Sequence, residues 1–518
     1  MKKLLLGAAF ACAFGLLNAA TLPKATEIYP NMGLGWNLGN TMEVPKDPTA
    51  WGNVVPSADV IKAVKLAGFN TIRIPCAWNS HASNGTIDAT WLATVKGVVD
   101  AAISYGMYVL LNSHWDEGWL EDHVFDGQGY DKTGLVSNSA TQLAAKQSSY
   151  WKQIADYFKD YDEHLIFASA NEPGVNDPWQ ANGQWAFTNE RMQVLKSYHE
   201  ACIKAVRNSG GNNATRTIIV QMPRTEIENS DMLANSYPTD PAGSGYTMAE
   251  AHFYPYQFAF MEKDESWGKV YYYWESETTG DANRTCSGNA TGSKNFIESQ
   301  FSKLENTFVK KGIPVVIGEM GINKRYSRVG QSDFNLDKHL RAVAAWYGYT
   351  VGSAKKHGLV PCVWDTGYER KTGGDGDGDM TIIRRQAKYG SDLGAIVDTA
   401  TMNAMKRSFG VGEVVLPPIV QTTVSSSSVQ PAASSSSNQQ VPPMVLDATT
   451  QSPRASLTRQ GNLLVAQGNR AEIRLFDMNG NLIRAVRSTS NATLSLTGLS
   501  NGMYIAKSGS TTLKVKIK

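Results

Sequence analysis

Eight short apolar runs lie along the first four-fifths of the chain, at 33–40, 70–75, 108–114, 165–172, 217–222, 247–254, 314–319 and 360–364. Runs of this length and apolarity suit strands buried on both faces. Between them, at 57–67, 90–105, 141–161, 189–208, 293–311, 336–356 and 399–409, apolar residues return every three or four positions, the period of an amphipathic helix. Gly68, Gly106, Gly210, Gly312 and Gly358 follow these stretches, where a left-handed cap favours glycine. Strand and helix alternating in this way imply a parallel sheet with crossover helices. Eight rounds predict a closed (β/α)8 TIM barrel of the α/β class, with a doubly wound open sheet as the rival. The connection from the fifth run to the sixth is the least regular.

The pattern changes after residue 416. Residues 417–446 are rich in Ser, Pro and Gln and carry no charge, so they offer too little apolar surface to offset the entropy of ordering and read as a linker. Residues 447–518 show short alternating runs with turn signals at Met478-Asn479-Gly480 and Ser500-Asn501-Gly502, the pattern of a small all-β, sandwich-like module. At the other end, Lys2 and Lys3 precede an apolar run and the small residues Ala19 and Ala20, the layout of a signal peptide over 1–20. That run is short for a bilayer span, and no later stretch looks transmembrane. The barrel unit is therefore expected over 21–416.

Charge narrows the choice of partner. From Asp447 onward ten Lys/Arg face three Asp/Glu, so in a chain of net charge +2 whose leader holds two lysines the main unit carries about −7. An acidic main unit argues against nucleic acid and suits a neutral substrate. Cys76, Cys202, Cys286 and Cys362 match no zinc spacing and are too sparse for a disulfide framework, so buried or unpaired thiols are expected.

Candidate chemistry gathers where a barrel presents its active site, at the C-terminal ends of its strands. The fourth run ends in Asn171-Glu172-Pro173 and the seventh in Gly318-Glu319. Either glutamate alone would pass for a paired or capping residue. Two at such positions suit glycosidic hydrolysis, in which one carboxyl protonates the leaving oxygen while the other, ionised, attacks carbon or activates water. Arg73 offers a charge-assisted hydrogen bond to hold one of them ionised, and Tyr254 a phenol donor. His114 and His252 suit sugar hydroxyls. Trp364 offers a flat face for a pyranose ring, and Trp36, Trp115, Trp119 and Trp179 are further stacking candidates among 13 tryptophans. The run from Gly373 to Asp379 alternates Gly and Asp like part of a calcium loop, but it lacks the spacing and terminal Glu of an EF-hand, so an acidic mobile loop is expected. Neither metal nor cofactor is called for.

These motifs resemble glycoside hydrolase family 5 over about residues 28–409. The opening Gly35-Trp36-Asn37-Leu38-Gly39-Asn40-Thr41, with Trp51-Gly52 downstream, is similar to its cellulase-like branches. The resemblance implies Glu172 as acid/base, Glu319 as nucleophile and Asn171 on the 2-hydroxyl of the reacting sugar. It also implies Arg73 and Tyr254 as partners of the nucleophile, and His114, His252 and Trp364 as subsite residues. Trp115 departs from a second histidine common in relatives, and 368–385 is unusual for the loop after the eighth strand. The C-terminal module resembles the sorting domains of type IX secretion, through Ile473–Gly480, Leu496–Tyr504 and a lysine-rich end. A carbohydrate-binding module is the rival, but the module has no tryptophan and only Phe476 and Tyr504 as aromatics. The expectation is a secreted or cell-surface, monomeric, retaining endo-β-1,4-glucanase of cellulose or related β-glucans, with secretion machinery as a further partner. Mannanase, xyloglucanase and xylanase are alternatives on the same scaffold, and a surface glycan-binding protein is the non-enzyme alternative.

Overall fold

Each of the eight apolar runs becomes a strand: β1 Gly35–Asn37, β2 Thr71–Ile74, β3 Tyr108–Asn112, β4 Leu165–Ala168, β5 Ile218–Gln221, β6 Thr247–Phe253, β7 Val315–Met320 and β8 Leu359–Val363. Neighbours pair in parallel in chain order, and β1 pairs with both β2 and β8, which closes the barrel. The open-sheet rival is thereby excluded. The computed structural model describes residues 21–124, 140–174, 187–275, 282–369 and 378–417, together with strands and adjoining residues within 456–517. The expected leader, the linker from 418 to 446, Trp179, the Gly-Asp run up to residue 377 and the Met478-Asn479-Gly480 turn lie outside the described residues.

The helices follow from their end signals. Helix α1 is Ala25–Met32 and α2 is Ala58–Ala67, the latter capped by the Ser57 hydroxyl accepting the Val60 N–H. Asp88 caps α3 Ala89–Ser104, and α4 is Ala140–Tyr157. Thr188 caps α5 Asn189–Asn208 in the same way. Short helices α6 Ser230–Asn235 and α7 Tyr256–Ala259 precede α8 Lys294–Thr307, α9 Leu336–Lys356 and α10 Thr399–Phe409, which Ser293, Asn335 and Asp398 cap. Each cap satisfies an amide that the first turn leaves without a partner. Gly68 and Gly312 adopt the expected left-handed caps. Gly210 instead leads into a 3-10 turn over Gly211–Ala214. The connection from β5 to β6 holds only short turns and the six-residue α6, which accounts for its weak periodicity.

Strand alternation divides the core in two. On β3, Tyr108 and Leu110 join the barrel interior with Ile166, Ala168, Ile219, Met248, Val316, Val360 and Cys362, whereas Val109 and Leu111 face the helices. Ala25, Ile28 and Met32 of α1 pack into the interior cluster and stop its lower end. The four cysteines outside the leader are free and buried. Among the described residues no helix is long and apolar enough to cross a membrane.

One irregularity positions chemistry. The pairing of β6 with β7 shifts register between Ile317 and Glu319, so Gly318 forms a bulge. Val316 points inward, and strict alternation would send Glu319 outward; the extra residue turns it back toward the interior. Gly318 has no room for a side chain, since a Cβ there would meet Glu250 Oε1 at 1.8 Å.

The C-terminal unit is built of antiparallel strands. A three-stranded sheet orders Ser456–Gln460, Leu463–Gln467 and Ala492–Ser495, and a four-stranded sheet orders Leu482–Arg487, Glu472–Phe476, Gly502–Ser508 and Thr511–Ile517. Leu457, Leu464 and Leu494 of the first sheet share one core with Ile473, Leu475, Tyr504 and Val515 of the second, as in a small sandwich.

The crowding at Gly318 sets an expectation for Gly318→Ala. The added methyl displaces a buried carboxylate, at a cost of about 3 kcal/mol by analogy with overpacked cores and broken buried pairs. Thermal unfolding and turnover would both fall, and an unchanged melting temperature would contradict the bulge.

Candidate active site

Arg73 reaches the barrel axis from β2 and is fully buried. Its Nη1 donates to Glu319 Oε1 at 2.8 Å and to Asn37 Oδ1 at 3.0 Å, and its Nη2 donates to Asn171 Oδ1 at 2.9 Å. Its Nε stands 3.0 Å from Glu250 Oε1. One guanidinium therefore joins side chains from β1, β6 and β7 and from the loop following β4. Tyr254 donates its hydroxyl to the other Glu319 oxygen at 2.9 Å. Burial, with the Glu172 charge, keeps the Glu319 carboxyl above its usual value, although His252, Arg73 and the Tyr254 hydrogen bond pull it part of the way down. Burial and the neighbouring Glu319 charge raise the Tyr254 phenol well above its usual value, so it stays a donor.

His252 bridges the two glutamates. Its Nδ1 lies 2.8 Å from Glu172 Oε1 and 3.7 Å from Glu319 Oε2, and its Nε2 lies 3.2 Å from Glu250 Oε1. Burial alone would lower its pKa, but the Glu319 charge and the hydrogen bonds to Glu172 and Glu250 outweigh that and bring it up to about 10. His252 is thus an imidazolium at neutral pH. The Glu172 side chain is 29% exposed against 8% for Glu319, so one carboxyl meets the cleft while the other is sequestered.

His114 and Trp364 stack at 5.9 Å between ring centres beside this cluster. His114 also meets Asn112 at 3.1 Å, and burial with the Arg73 and His252 charges holds it well below its usual pKa, hence neutral. Trp115 is half-buried and precedes Asp116 and Glu117, whose φ values of 45° and 65° turn the chain sharply. Asp116 secures that turn by accepting backbone N–H groups of Trp78 and Ser80 at 2.7 and 3.1 Å.

Two stacking candidates are corrected. Trp36 points away from the cleft into the helix-facing core, fully buried, with its Nε1 donating to Asp365 Oδ2 at 2.9 Å and Arg385 over its ring. Trp119 is buried edge-on against Tyr150. Asp379 also departs from a mobile acidic loop: it is buried, 3.3 Å from Lys324 Nζ, and accepts the Thr381 N–H.

Several site residues escaped the sequence reading. Glu250 shares the inward face of β6 with His252, two residues apart, so alternation was a signal for it. Burial raises its pKa, but Arg73 and His252 lower it further, and Gln221 donates to its Oε2 at 2.7 Å. Asn37, beside Trp36, pairs in register with Arg73 and donates to the Gly318 carbonyl at 2.8 Å. Glu121 had no signal in its own neighbourhood. It is buried, its Oε1 accepts the Asn171 N–H at 2.8 Å, and its carbonyl accepts the Gly174 N–H at 2.9 Å, which holds the 171–174 turn from both ends. Burial and the Glu172 charge push its carboxyl well up.

Glu172, His252 and Glu319 bring potential ligand atoms within 4.8 Å of one another. A metal there would need a lone pair from His252, whose Nδ1 already faces Glu172 and whose Nε2 faces Glu250 and Arg73. What the cluster does offer is two carboxyl groups in unlike surroundings above a barrel mouth, the arrangement that two-carboxylate glycosidases require. Residues 37–370 match the family described as Cellulase (glycosyl hydrolase family 5), and the chain belongs to that family. Residues 459–518 match a secretion system C-terminal sorting domain, which makes this a secreted or cell-surface protein. Among curated relatives, xyloglucan-specific endo-beta-1,4-glucanase BoGH5A of Bacteroides ovatus is 33% identical over 66% of this chain and 64% of its own length. Endoglucanase A of Paenibacillus barcinonensis is 34% identical over 67% of this chain and 84% of its own. The chain thus spans slightly less than two thirds of the Bacteroides ovatus relative. The solved structure of XEG5B, a GH5 xyloglucan-specific beta-1,4-glucanase from a ruminal metagenomic library in complex with XXLG, is 32% identical. It superposes with a TM-score of 0.63, covering 76% of this chain and 98% of that one.

The raised pKa of His252 has a consequence for stability. A group that binds its proton more tightly when folded stabilises fully below its unfolded pKa of about 6.5, and that contribution is lost as pH rises through about 10. The unfolding free energy is therefore expected to fall between pH 7 and 10, and less steeply in His252→Gln. Parallel denaturant titrations of both proteins check this, and identical slopes would contradict it.

Proposed function

We propose that this protein is a retaining endo-β-1,4-glucanase, with Glu319 as nucleophile and Glu172 as acid/base. The observation that carries the reading is the spacing: one oxygen of each glutamate lies within 4.8 Å of the other. Retaining enzymes hold their carboxyl groups about 5–5.5 Å apart, whereas inverting ones leave about 6.5–9.5 Å for a water. Glu319 attacks the anomeric carbon while Glu172 gives its proton to the departing glycosidic oxygen. A glycosyl ester on Glu319 results. Glu172 then takes a proton from water, the resulting hydroxide attacks the anomeric carbon, and Glu319 leaves as carboxylate.

Charge balance supports this division of roles. The cations Arg73 and His252 face the sequestered carboxylates Glu250 and Glu319. Glu172, the more exposed of the two glutamates, is the one open to the cleft, where a departing glycosidic oxygen would lie. With its Oδ1 engaged by Arg73, Asn171 has its amide NH2 group left for a sugar 2-hydroxyl. Neutral His114 can accept from a hydroxyl, and Trp364 offers a ring face for a pyranose.

Xyloglucan is a second reading of the substrate. A cavity of about 410 Å³ opens beside Glu172, lined by Arg224, Thr225, Glu226, Phe296 and Gln300, and would admit a sugar branch. The names of the Bacteroides ovatus and ruminal relatives point the same way.

Glu319→Gln should lower turnover of soluble β-glucan by at least about 10³-fold while substrate binding persists. Product NMR on a panel of cellulose, mixed-linkage glucan, xyloglucan, mannan and xylan should show the β-anomer first. Initial release of the α-anomer would mean inversion and end the double-displacement reading.

A further inference from the structure

Large aromatic side chains seldom stand in water as neighbours, because each leaves a sizeable apolar area unburied. Three do so in the segment after β6. Trp267 is 66% exposed, Tyr256 53% and Phe260 38%. They form a continuous series that starts at the catalytic cluster. Tyr254, the donor to Glu319, meets Phe260 at 4.9 Å between ring centres, Phe260 meets Tyr256 at 6.5 Å, and Tyr256 meets Trp267 at 6.0 Å.

The outermost ring is held in place. Glu265 and Gly268 exchange backbone hydrogen bonds of 2.9 and 3.2 Å, which puts Ser266 and Trp267 at the tip of a tight turn. Asp264 braces the base of the turn, its Oδ1 accepting the Val270 N–H at 3.0 Å and an Arg284 Nη1–H at 2.5 Å. Arg284 is fixed in turn by Asp333 at 2.7 Å. Gln257 donates to the Lys269 carbonyl at 3.1 Å, and Met261, Val270, Tyr272 and Tyr273 form a buried cluster of their own in this segment. Nothing in the packing of the barrel requires Trp267. The charged residues alongside balance once all are counted: Glu262, Asp264, Glu265 and Asp333 stand against Lys263, Lys269, Arg284 and Arg328, with Lys263 pairing with Glu265 and Lys269 with Asp264.

We propose that Tyr256, Phe260 and Trp267 form a distal sugar-binding platform that holds a β-glucan chain outside the bond-breaking centre. The occupant is argued from continuity with Tyr254 and from the local charge neutrality, which suits an uncharged polymer with apolar pyranose faces. The inference rests on the glucanase reading above. Rings presented on a braced turn lose little conformational entropy when a sugar docks, which favours binding over a flexible loop.

The test separates the platform from the chemistry. Affinity electrophoresis in soluble β-glucan compares full-length Glu319→Gln with Glu319→Gln/Trp267→Ala and Glu319→Gln/Tyr256→Ala. Each added substitution should weaken binding about tenfold, the scale expected from losing one large aromatic contact. In the active background, Trp267→Ala should raise KM on the polymer far more than on an aryl cellobioside, with kcat on the polymer retained. Unchanged polymer affinity, an equal loss on both substrates, or an altered oligomeric state in Trp267→Ala would overturn the platform while leaving the glucanase standing. If wild type cleaves no β-glucan and Glu319→Gln binds none, the glucanase reading falls and the platform with it.

Discussion

A guanidinium sealed from water in the centre of a barrel must find its compensation in protein groups, and the site is arranged around that demand. Arg73 can stay charged there because Glu250 and Glu319 lie against it and Asn37 and Asn171 accept its remaining protons. Removing the arginine would strand two buried carboxylates, a loss of about 3–5 kcal/mol by the usual scale for broken buried pairs. The requirement spreads outward. Glu250 needs space, so residue 318 carries no side chain. The bulge at Gly318 then turns Glu319 inward, where strict alternation would have turned it out.

Strand β6 carries the charge order from the interior to the cleft. Glu250, His252 and Tyr254 follow one another on one face, from sequestered carboxylate to imidazolium to phenol. The imidazolium of His252 touches both glutamates, so the state of one is felt by the other. Glu121 contributes from a different direction, by fastening the turn that bears Glu172. Beyond Tyr254 the chain leaves the strand and runs through α7 into aromatic surface, and the environments along this segment pass from ionic to apolar as it leaves the barrel.

Legibility in the sequence followed the range of the interaction. The strands, the long helices and most of their caps were readable, because periodicity and capping are local. Glu172, Glu319, Arg73, His114, His252, Tyr254 and Trp364 were picked out by position at strand ends. Trp36 was chosen for its aromatic ring, yet alternation on β1 gives its neighbour Asn37 the inward place. Glu250 is readable by the same alternation, two residues before His252 on the inward face of β6. Glu121 was not readable, since its role depends on a turn some fifty residues away. Asp379 looked like part of a solvated run, and only the fold supplies the buried Lys324 beside it.

The sequence by itself determined the eightfold alternation of strands and helices, the change of architecture after the linker, and the two glutamates as candidates. These depend on spacing along the chain, which a linear pattern records directly. Tertiary structure alone decided that the glutamates stand within 4.8 Å, that His252 spans them, that a bulge re-aims Glu319, and that three aromatics line up beyond Tyr254. The reason is physical. Charge and solvation depend on distances through space, and residues as far apart as 73 and 319 become neighbours only when the barrel closes.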